Sequence, residues 1–156
     1  MTFNRVGVVL AKIKSLGLSE TTLIIFASDN GGSLRDATQA PLRGGKAQLY
    51  EGGLRVPLIM RWTGTIPAAR TTEFLTTSAD LFPTILEVTG TPAPTDEPRD
   101  GISLLDTMRG QPSSSSRRLL WHYPHYHNAG VHGPGIAPRE RVRSLVHAGS
   151  DHPPRI

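Results

Sequence analysis

The sequence feature that most constrains the fold is an apolar run that ends in an acidic residue, an asparagine and two glycines. Residues 22–27 read TLIIFA, and such β-branched and aromatic runs predict a strand buried on both faces of a parallel sheet. Asp29 and Asn30 follow it, at the sheet edge where open α/β folds place their ligand-binding loops. Their oxygen atoms suit a hard cation, and we expect positive φ at Gly31 and Gly32. Asp-Asn-Gly alone is more often typical of a plain turn.

A second glycine-rich segment contains a single lysine. Gly-Gly pairs at positions 44–45 and 52–53 flank Lys46 and Glu51, so the backbone is predicted to fold tightly around one ammonium and one carboxylate. An enclosed lysine can act as a point charge and hydrogen-bond donor for an anion. The alternative is a solvated lysine on a mobile surface loop. Taken with the acidic loop, the pattern indicates hydrolysis of an anionic ester.

Five blocks of the chain together resemble the sulfatase family of the alkaline phosphatase superfamily. They lie within residues 1–135, in the family's order, and read SDNGG, APLRGGKAQLYEGGLRVPLIMRW, SADLFPTILEVTG, DGISLL and LLWHYPHYHNAG. The resemblance implies an α/β fold, with part of a mixed or parallel sheet flanked by helices and the start of a small carboxy-terminal antiparallel subdomain. It also implies an arylsulfatase-like sulfuric ester hydrolase that uses Ca²⁺ and a formylglycine.

The resemblance assigns roles to four positions of this sequence. Asp29 and Asn30 match metal ligands of the family. Lys46 matches the lysine that contacts the sulfate and stabilises charge on the departing oxygen, where a fixed cation contributes most in the transition state. Glu51 matches a family position for which we expect a structural role, either holding Arg55 or capping backbone amides.

The resemblance also implies parts that this sequence does not contain. Formylglycine forms from the Cys or Ser of a C-x-P-x-R type motif, but the chain has no cysteine and no S-x-P-x-R segment. An early acidic pair that completes the metal site in such enzymes is not found either. Two ligands fall short of the six to eight oxygens that calcium prefers. We therefore expect the chain alone to bind calcium poorly and to be inactive without the missing amino-terminal half of the fold.

Two alternatives to a sulfatase stay open. A phosphonate or phosphate ester hydrolase of the same superfamily shares this metal half-site. A non-catalytic remnant or an anion-binding subunit would keep the anion contact through Lys46. The expected substrate is a sulfated small molecule or glycan, and the sequence does not choose among aryl sulfates, steroid sulfates, glycosaminoglycans and algal polysaccharides.

Helices and strands are predicted from periodicity and capping residues. An amino-terminal helix that Gly17 ends carries five apolar residues at helical spacing: Val6, Val9, Leu10, Ile13 and Leu16. A second helix is predicted to begin with Ser78 as its cap and to end at Gly90. A strand over 56–62, a short helix over 103–109 and a strand over 119–121 complete the prediction.

Composition divides the chain into three segments. Residues 1–110 are predicted to be the carboxy-terminal part of the catalytic α/β domain, and 111–117, with one proline and four serines, a linker. Residues 118–156 are predicted to be a small and incomplete carboxy-terminal subdomain. Family likeness decays over 136–156, which suggests a shifted reading frame or a truncated gene, and 148–156 are predicted to be disordered.

Three histidines at positions 122, 125 and 127 form a second candidate site. Zinc is disfavoured, because close ligands on an extended backbone alternate faces and no acidic or cysteine partner lies nearby. The resemblance places this block near the active-site mouth, so His122 or His125 is predicted to contact substrate. The alternative is that these histidines are structural and pack beside the neighbouring tyrosines.

Charge and hydropathy narrow the classes of partner. The net charge is +4, with arginines crowded in the second half, but basic residues interleaved with aromatics or a reading helix are not evident. Nucleic acid is therefore not expected as a partner. No apolar stretch is long enough to span a membrane and no signal peptide is recognisable. The resemblance implies a periplasmic or secreted enzyme, while the residues themselves leave the location undetermined.

Overall fold

A computed structural model describes residues 2–96, 98–111, 117–123 and 135–139. In this part of the chain four helices alternate irregularly with four short strands. In chain order they are α1 (Thr2–Ser15), β1 (Ile24–Ala27), α2 (Glu51–Leu54), β2 (Leu58–Arg61), α3 (Leu81–Thr89), α4 (Leu105–Arg109), β3 (Leu119–Tyr123) and β4 (Gly135–Arg139). A single 3-10 turn, Ser78–Asp80, leads into α3. The mixture of helices and strands agrees with the predicted α/β class.

The described strands form two antiparallel pairs. β1 pairs with β2 from Ile24 opposite Arg61 to Ala27 opposite Leu58, and β3 pairs with β4. We predicted that β1 belongs to a parallel sheet. This prediction is wrong for the pair that β1 forms with β2, because the two strands are antiparallel. A short apolar run does not show whether a strand pairs in the parallel or the antiparallel direction. Here residues 28–57, which include α2, connect β1 to β2 and bring the chain back antiparallel to β1.

The prediction that β1 is buried on both faces is also wrong in the described part of the fold. Ile24 and Ile25 are half-buried, whereas Phe26 is 38% exposed. In β2, by contrast, Leu58 and Met60 alternate inward with period two and are buried. The hydrophobic core forms on the face of β2 that carries Leu58 and Met60, against residues at α4. Its buried residues are Leu58, Met60, Ile66, Leu104 and Met108.

Helix α1 covers the fold with only part of its apolar stripe. Val6, Leu10 and Ile13 are half-buried, while Val9 and Leu16 are exposed, so the predicted stripe is wider than the buried face. Gly17 ends the helix as predicted, because it adopts a φ of +69° and the N–H of Leu18 donates to the carbonyl of Ile13 at 3.1 Å. In the described parts of the chain, no helix combines the length and apolarity needed to cross a bilayer.

A fully buried carboxylate, Asp80, holds the second half of the described fold together. Its Oδ2 accepts the backbone N–H of Thr77 at 2.8 Å and its Oδ1 accepts that of Ile102 at 2.9 Å. Nη1 of Arg117 also donates to Oδ2, at 2.7 Å. One carboxylate thus joins the start of α3 to the loop before α4 and to the residue two positions before β3.

The start of α3 differs from the prediction. Thr77 is the N-cap of the 3-10 turn Ser78–Asp80 and forms a capping box with Asp80, and Asp80 rather than Ser78 is the N-cap of α3. Ser78 was the obvious capping candidate in the sequence, but its neighbour has the acidic residue three positions later that a capping box requires. The predicted stop at Gly90 is confirmed, with a φ of +66°. Boundaries between the three predicted segments stay a prediction.

Breaking the buried ion pair should destabilise the chain strongly. We expect Asp80→Asn to lower the free energy of unfolding by about 3–5 kcal/mol, because the Arg117 guanidinium loses its charge partner in a buried position. Urea unfolding followed by circular dichroism measures this change. The exposed Asp36→Asn serves as the control and should lie within about 0.5 kcal/mol of the parent. Equal unfolding midpoints for the two variants would contradict the central position of Asp80.

Candidate functional site

Three Gly-Gly pairs, at positions 31–32, 44–45 and 52–53, pack backbone against backbone and form the floor of the candidate site. The N–H of Gly31 donates to the carbonyl of Gly53 at 3.0 Å, and that of Gly52 donates to Arg43 at 2.7 Å. The contacts leave no room for side chains. A Cβ atom on Gly31 would stand 1.8 Å from the carbonyl oxygen of Gly52, and one on Gly53 would stand 1.9 Å from that of Gln48. We call this set of contacts the glycine interlock.

Close approach, not unusual torsion, explains most of these glycines. Gly44 has a φ of +78°, but Gly31 and Gly32 are not in the positive-φ region, so that expectation is wrong. Because glycine has no Cβ, the backbone of another segment can approach it to hydrogen-bonding distance.

The glycine interlock places the backbone of Lys46 against the loop that carries Asp29 and Asn30. The N–H of Lys46 donates to the carbonyl of Gly32 at 3.0 Å. The acidic loop is fixed from the other side, since Ser28 donates its N–H to Pro57 at 3.3 Å and its hydroxyl to the carbonyl of Asn30 at 2.9 Å. The loop that carries Asn30 and the turn that carries Lys46, sixteen positions further along the sequence, are thus held side by side.

The residue after Lys46 is conformationally unusual. Ala47 adopts a φ of +68° without being a glycine, which costs of order 1 kcal/mol and persists only where the surroundings enforce it. The N–H of Gln48 then returns to the carbonyl of Gly45 at 3.1 Å, closing a tight turn around Lys46. This turn directs the chain so that Lys46, Ala47 and Gln48 all line one cavity.

The cavity has a volume of about 450 Å³ and collects the predicted polar residues. Asp29, Asn30 and Lys46 all line it, so three of the five predicted site residues are brought together. Its other walls come from α2, the start of β2, the turn before α3 and β3, and they include Leu54, Val56, Pro57, Leu58, Thr76, Thr77, Ser78, Leu81 and Trp121. His122 is exposed and is not among the lining residues. His125 lies outside the described residues.

Glu51 has the structural contact that the sequence predicts. Its Oε2 lies 3.6 Å from Nη1 of Arg55, one helical turn further on. Both side chains are partly solvated, so the pair contributes only about 0.3–0.5 kcal/mol. Nearby, the guanidinium of Arg43 lies 4.0 Å from the centroid of the Tyr50 ring. These contacts shape the loop around Lys46. The ammonium group of Lys46 is the candidate anion-binding group of this loop.

The donor chemistry of the site fits a hard cation, but the described donors make up only part of a site. Asp29 offers a carboxylate and Asn30 an amide carbonyl, both of which are calcium ligands. Among the described residues, no group of three His, Cys, Asp or Glu side chains is placed to hold a metal. Two side chains cannot satisfy six to eight coordination positions. The described donors could therefore supply only part of the ligands that a calcium ion needs.

Sequence reasoning missed two residues that matter to the cavity. Trp121 lines it from β3, although the apolar run from Leu119 to Trp121 predicts only a strand. Asp80 anchors the segment that leads to this strand, and its signal was present as Thr77 followed three residues later by an acidic side chain. The partner of Asp80, Arg117, had no local signal because the two residues are far apart in sequence.

Comparisons with known proteins show the family to which the chain belongs. A profile of the sulfatase family matches residues 5–91, more than half of the chain. Steryl-sulfatase of Rattus norvegicus is 37% identical over 127 residues, and N-acetylgalactosamine-6-sulfatase of Canis lupus familiaris is 40% identical over 112 residues; these alignments cover 76% and 69% of this chain. The chain belongs to the sulfatase family.

A solved structure supports the same assignment at the level of the fold. The crystal structure of Ps i-CgsB in complex with k-i-k-neocarrahexaose superposes with a TM-score of 0.75 and 26% identity, over 87% of this chain. The match covers 30% of that protein, and the chain spans 22% of the length of each of the two mammalian relatives. What the whole relatives do therefore comes to this chain only as a proposal.

The glycine interlock should tolerate no added methyl group. We expect Gly53→Ala to lower the free energy of unfolding by about 3 kcal/mol or more, because the new Cβ collides with backbone atoms that cannot rotate away. The control is Gly7→Ala on α1, where no atom lies within 4 Å of the added Cβ. That variant should be neutral or up to about 1 kcal/mol more stable. Similar losses in the two variants, measured by urea unfolding, would refute the interlock.

Metal affinity should be weak and should depend on Asp29. Terbium can replace calcium as a luminescent probe, and Trp121 in the same cavity can sensitise it. Because two side-chain ligands leave most of the coordination sphere to water, we expect a Kd in the millimolar range, weaker than that of complete sites. Asp29→Asn should remove the sensitised emission and Asp36→Asn should keep it. Emission that survives in Asp29→Asn would place the ion elsewhere.

Proposed function

We propose that this chain contributes the anion-binding part of a sulfuric ester hydrolase, with Lys46 as the group that binds the sulfate. The observation that carries the proposal is that Lys46 lines the same cavity as Asp29 and Asn30. Membership of the sulfatase family supports sulfate, rather than phosphate, as the anion. The proposed roles of these residues follow from their chemistry and from this shared cavity.

Lys46 acts on the leaving group. When the S–O bond of a sulfate ester breaks, negative charge develops on the oxygen that departs as an alkoxide or phenoxide. An ammonium group fixed beside that oxygen stabilises the charge more in the transition state than in the ground state, which is the condition for raising the rate. The tight turn at Ala47 and the N–H bond to Gly32 fix the lysine backbone before substrate arrives.

Asp29 and Asn30 would contribute oxygen ligands to Ca²⁺. A bound calcium ion supplies positive charge that offsets the sulfate oxygens. Among the described residues, no group of three His, Cys, Asp or Glu side chains could complete such a site. The sequence also has neither the cysteine nor the S-x-P-x-R motif from which formylglycine would form.

Sulfated small molecules and sulfated glycans are both candidate substrates. Of the relatives that match this chain, the steryl-sulfatase is named for a sulfated small molecule and the N-acetylgalactosamine-6-sulfatase for a sulfated sugar. The Ps i-CgsB structure contains a neocarrahexaose. We propose hydrolysis of sulfate esters by the complete fold, with the chain alone limited to binding the anion.

Sulfate should stabilise the chain through Lys46. At a sulfate concentration ten times the Kd, binding adds about 1.4 kcal/mol, which corresponds to about 3–5 °C in Tm for a chain of this size. We expect Lys46→Ala to lose this increment and Lys12→Ala, on the exposed face of α1, to keep it. Sulfate also stabilises proteins by exclusion from their surface, so the difference between the two variants is the measured quantity. Identical shifts would contradict the role of Lys46.

A further inference from the structure

We propose that the Asn30–Gly31 bond is a deamidation site, and that the glycine interlock controls the reaction by keeping the backbone closed around it. Asn30–Gly31 is the one Asn-Gly bond in the sequence. Asn30 lines the cavity, and Gly31 belongs to the interlock. The inference goes beyond the proposed function, because it concerns the chemistry of the chain itself and does not depend on which anion the cavity binds.

Deamidation at this bond needs only the chain and water. The backbone nitrogen of Gly31 attacks the side-chain carbonyl carbon of Asn30, the new N–C bond closes a succinimide ring, and the side-chain amide nitrogen leaves as ammonia. Water then opens the ring at either of its carbonyl carbons, which gives aspartate or isoaspartate. A glycine after the asparagine favours the attack, because no Cβ atom stands beside the attacking nitrogen. Water is consumed and ammonia is released, so no further reactant is required.

The interlock engages the atom that would attack. The N–H of Gly31 donates to the carbonyl of Gly53 at 3.0 Å, and the nitrogen attacks only after it has lost this proton. Gly31 is buried, and a Cβ atom there would stand 1.8 Å from the carbonyl oxygen of Gly52. The backbone at Gly31 therefore has no room to turn its nitrogen towards the side chain of Asn30. Ring closure requires the interlock to open first.

The backbone on the other side of Asn30 is held by Ser28. The hydroxyl of Ser28 donates to the carbonyl of Asn30 at 2.9 Å, and its N–H donates to the carbonyl of Pro57 at 3.3 Å. The side chain of Asn30, by contrast, is half-buried and lines a cavity of about 450 Å³, which has room for the water that opens the succinimide. Opening of the backbone, and not access of water, therefore limits the reaction.

The reaction changes both the charge and the backbone of the site. Either product places a second carboxylate close to Asp29, in the cavity that Lys46 also lines. Isoaspartate in addition inserts a carbon atom into the main chain before Gly31, so the N–H of Gly31 can no longer meet the carbonyl of Gly53 in the same register. A chain that reacts while the interlock is open therefore cannot restore the original contacts.

Gly53→Ala should speed deamidation, because the added Cβ forces the interlock apart. We expect the rate at Asn30, measured by mass spectrometry of tryptic peptide 15–35, to rise about tenfold or more. Gly7→Ala, where the added Cβ meets no atom within 4 Å, should keep the parent rate. Peptide 100–109 contains the one Asp-Gly bond, which isomerises through the same ring, and it reports unfolding of the whole chain. Acceleration at Asn30 alone supports the proposal, and an unchanged rate there overturns it.

A measurement on the parent chain decides the question even if Gly53→Ala unfolds as a whole. Hydrogen exchange of the Gly31 amide and deamidation of Asn30 both require the same N–H to leave Gly53. We expect folding to slow deamidation about a hundredfold or more relative to the chain in urea, and to slow exchange at Gly31 by the same factor to within about fivefold. Equal deamidation rates in the folded and unfolded chain, or rapid deamidation while the Gly31 amide stays protected, would overturn the proposal.

Discussion

Backbone contact among three Gly-Gly pairs is the constraint on which the candidate site depends. Hydrogen bonds join Gly31 to Gly53 and Lys46 to Gly32, and a Cβ atom at several of these positions would collide with a carbonyl oxygen. Such contacts have little tolerance in distance, because the packed atoms are backbone and cannot change rotamer. The separation between the acidic loop and the lysine loop is therefore set by backbone contacts rather than by flexible side chains. These contacts hold the backbone of Lys46 beside the acidic loop, while the Lys46 side chain is exposed.

Asp80 adds a second constraint, at longer range. It is fully buried and accepts two backbone N–H groups and one guanidinium, so its charge is matched by donors from three separate segments. A buried ion pair is weak evidence of net stability, since desolvation offsets much of the attraction. In this chain the ion pair between Asp80 and Arg117 serves to fix the position of the segment that leads into β3. It fixes the approach of β3, and with it Trp121, to a cavity that Asp29, Asn30 and Lys46 also line from a distant part of the sequence.

Local signals in the sequence predicted where helices and strands lie. They did not predict which distant segments contact each other. The stops at Gly17 and Gly90 were predictable because positive φ at a helix end is a local requirement that glycine meets. Family motifs contain Asp29, Asn30 and Lys46, and the structure brings these three residues to one cavity, while their roles stay a prediction. The direction in which β1 pairs was not, since a four-residue apolar strand carries no mark of its partner.

The same distinction explains the error at Gly31 and Gly32. Positive φ was expected at these two glycines, because sequence shows that a side chain is absent but not which atom occupies its space. His122 or His125 was predicted to contact substrate; His122 is exposed and lies outside the cavity that its neighbour Trp121 lines, and its role stays a prediction. A shift of one residue along a strand moves every side chain to the other face. His125 lies outside the described residues, and its role stays a prediction.

The most direct test of the central claim is a map of sulfate binding by NMR. The chain is labelled with ¹⁵N and titrated with sodium sulfate at constant ionic strength, and amide shifts are followed residue by residue. The account predicts that Asn30, Gly32, Lys46 and the indole N–H of Trp121 shift together with a single Kd. Shifts confined to the arginines of the second half of the chain, with the amides around Lys46 unchanged, would contradict it.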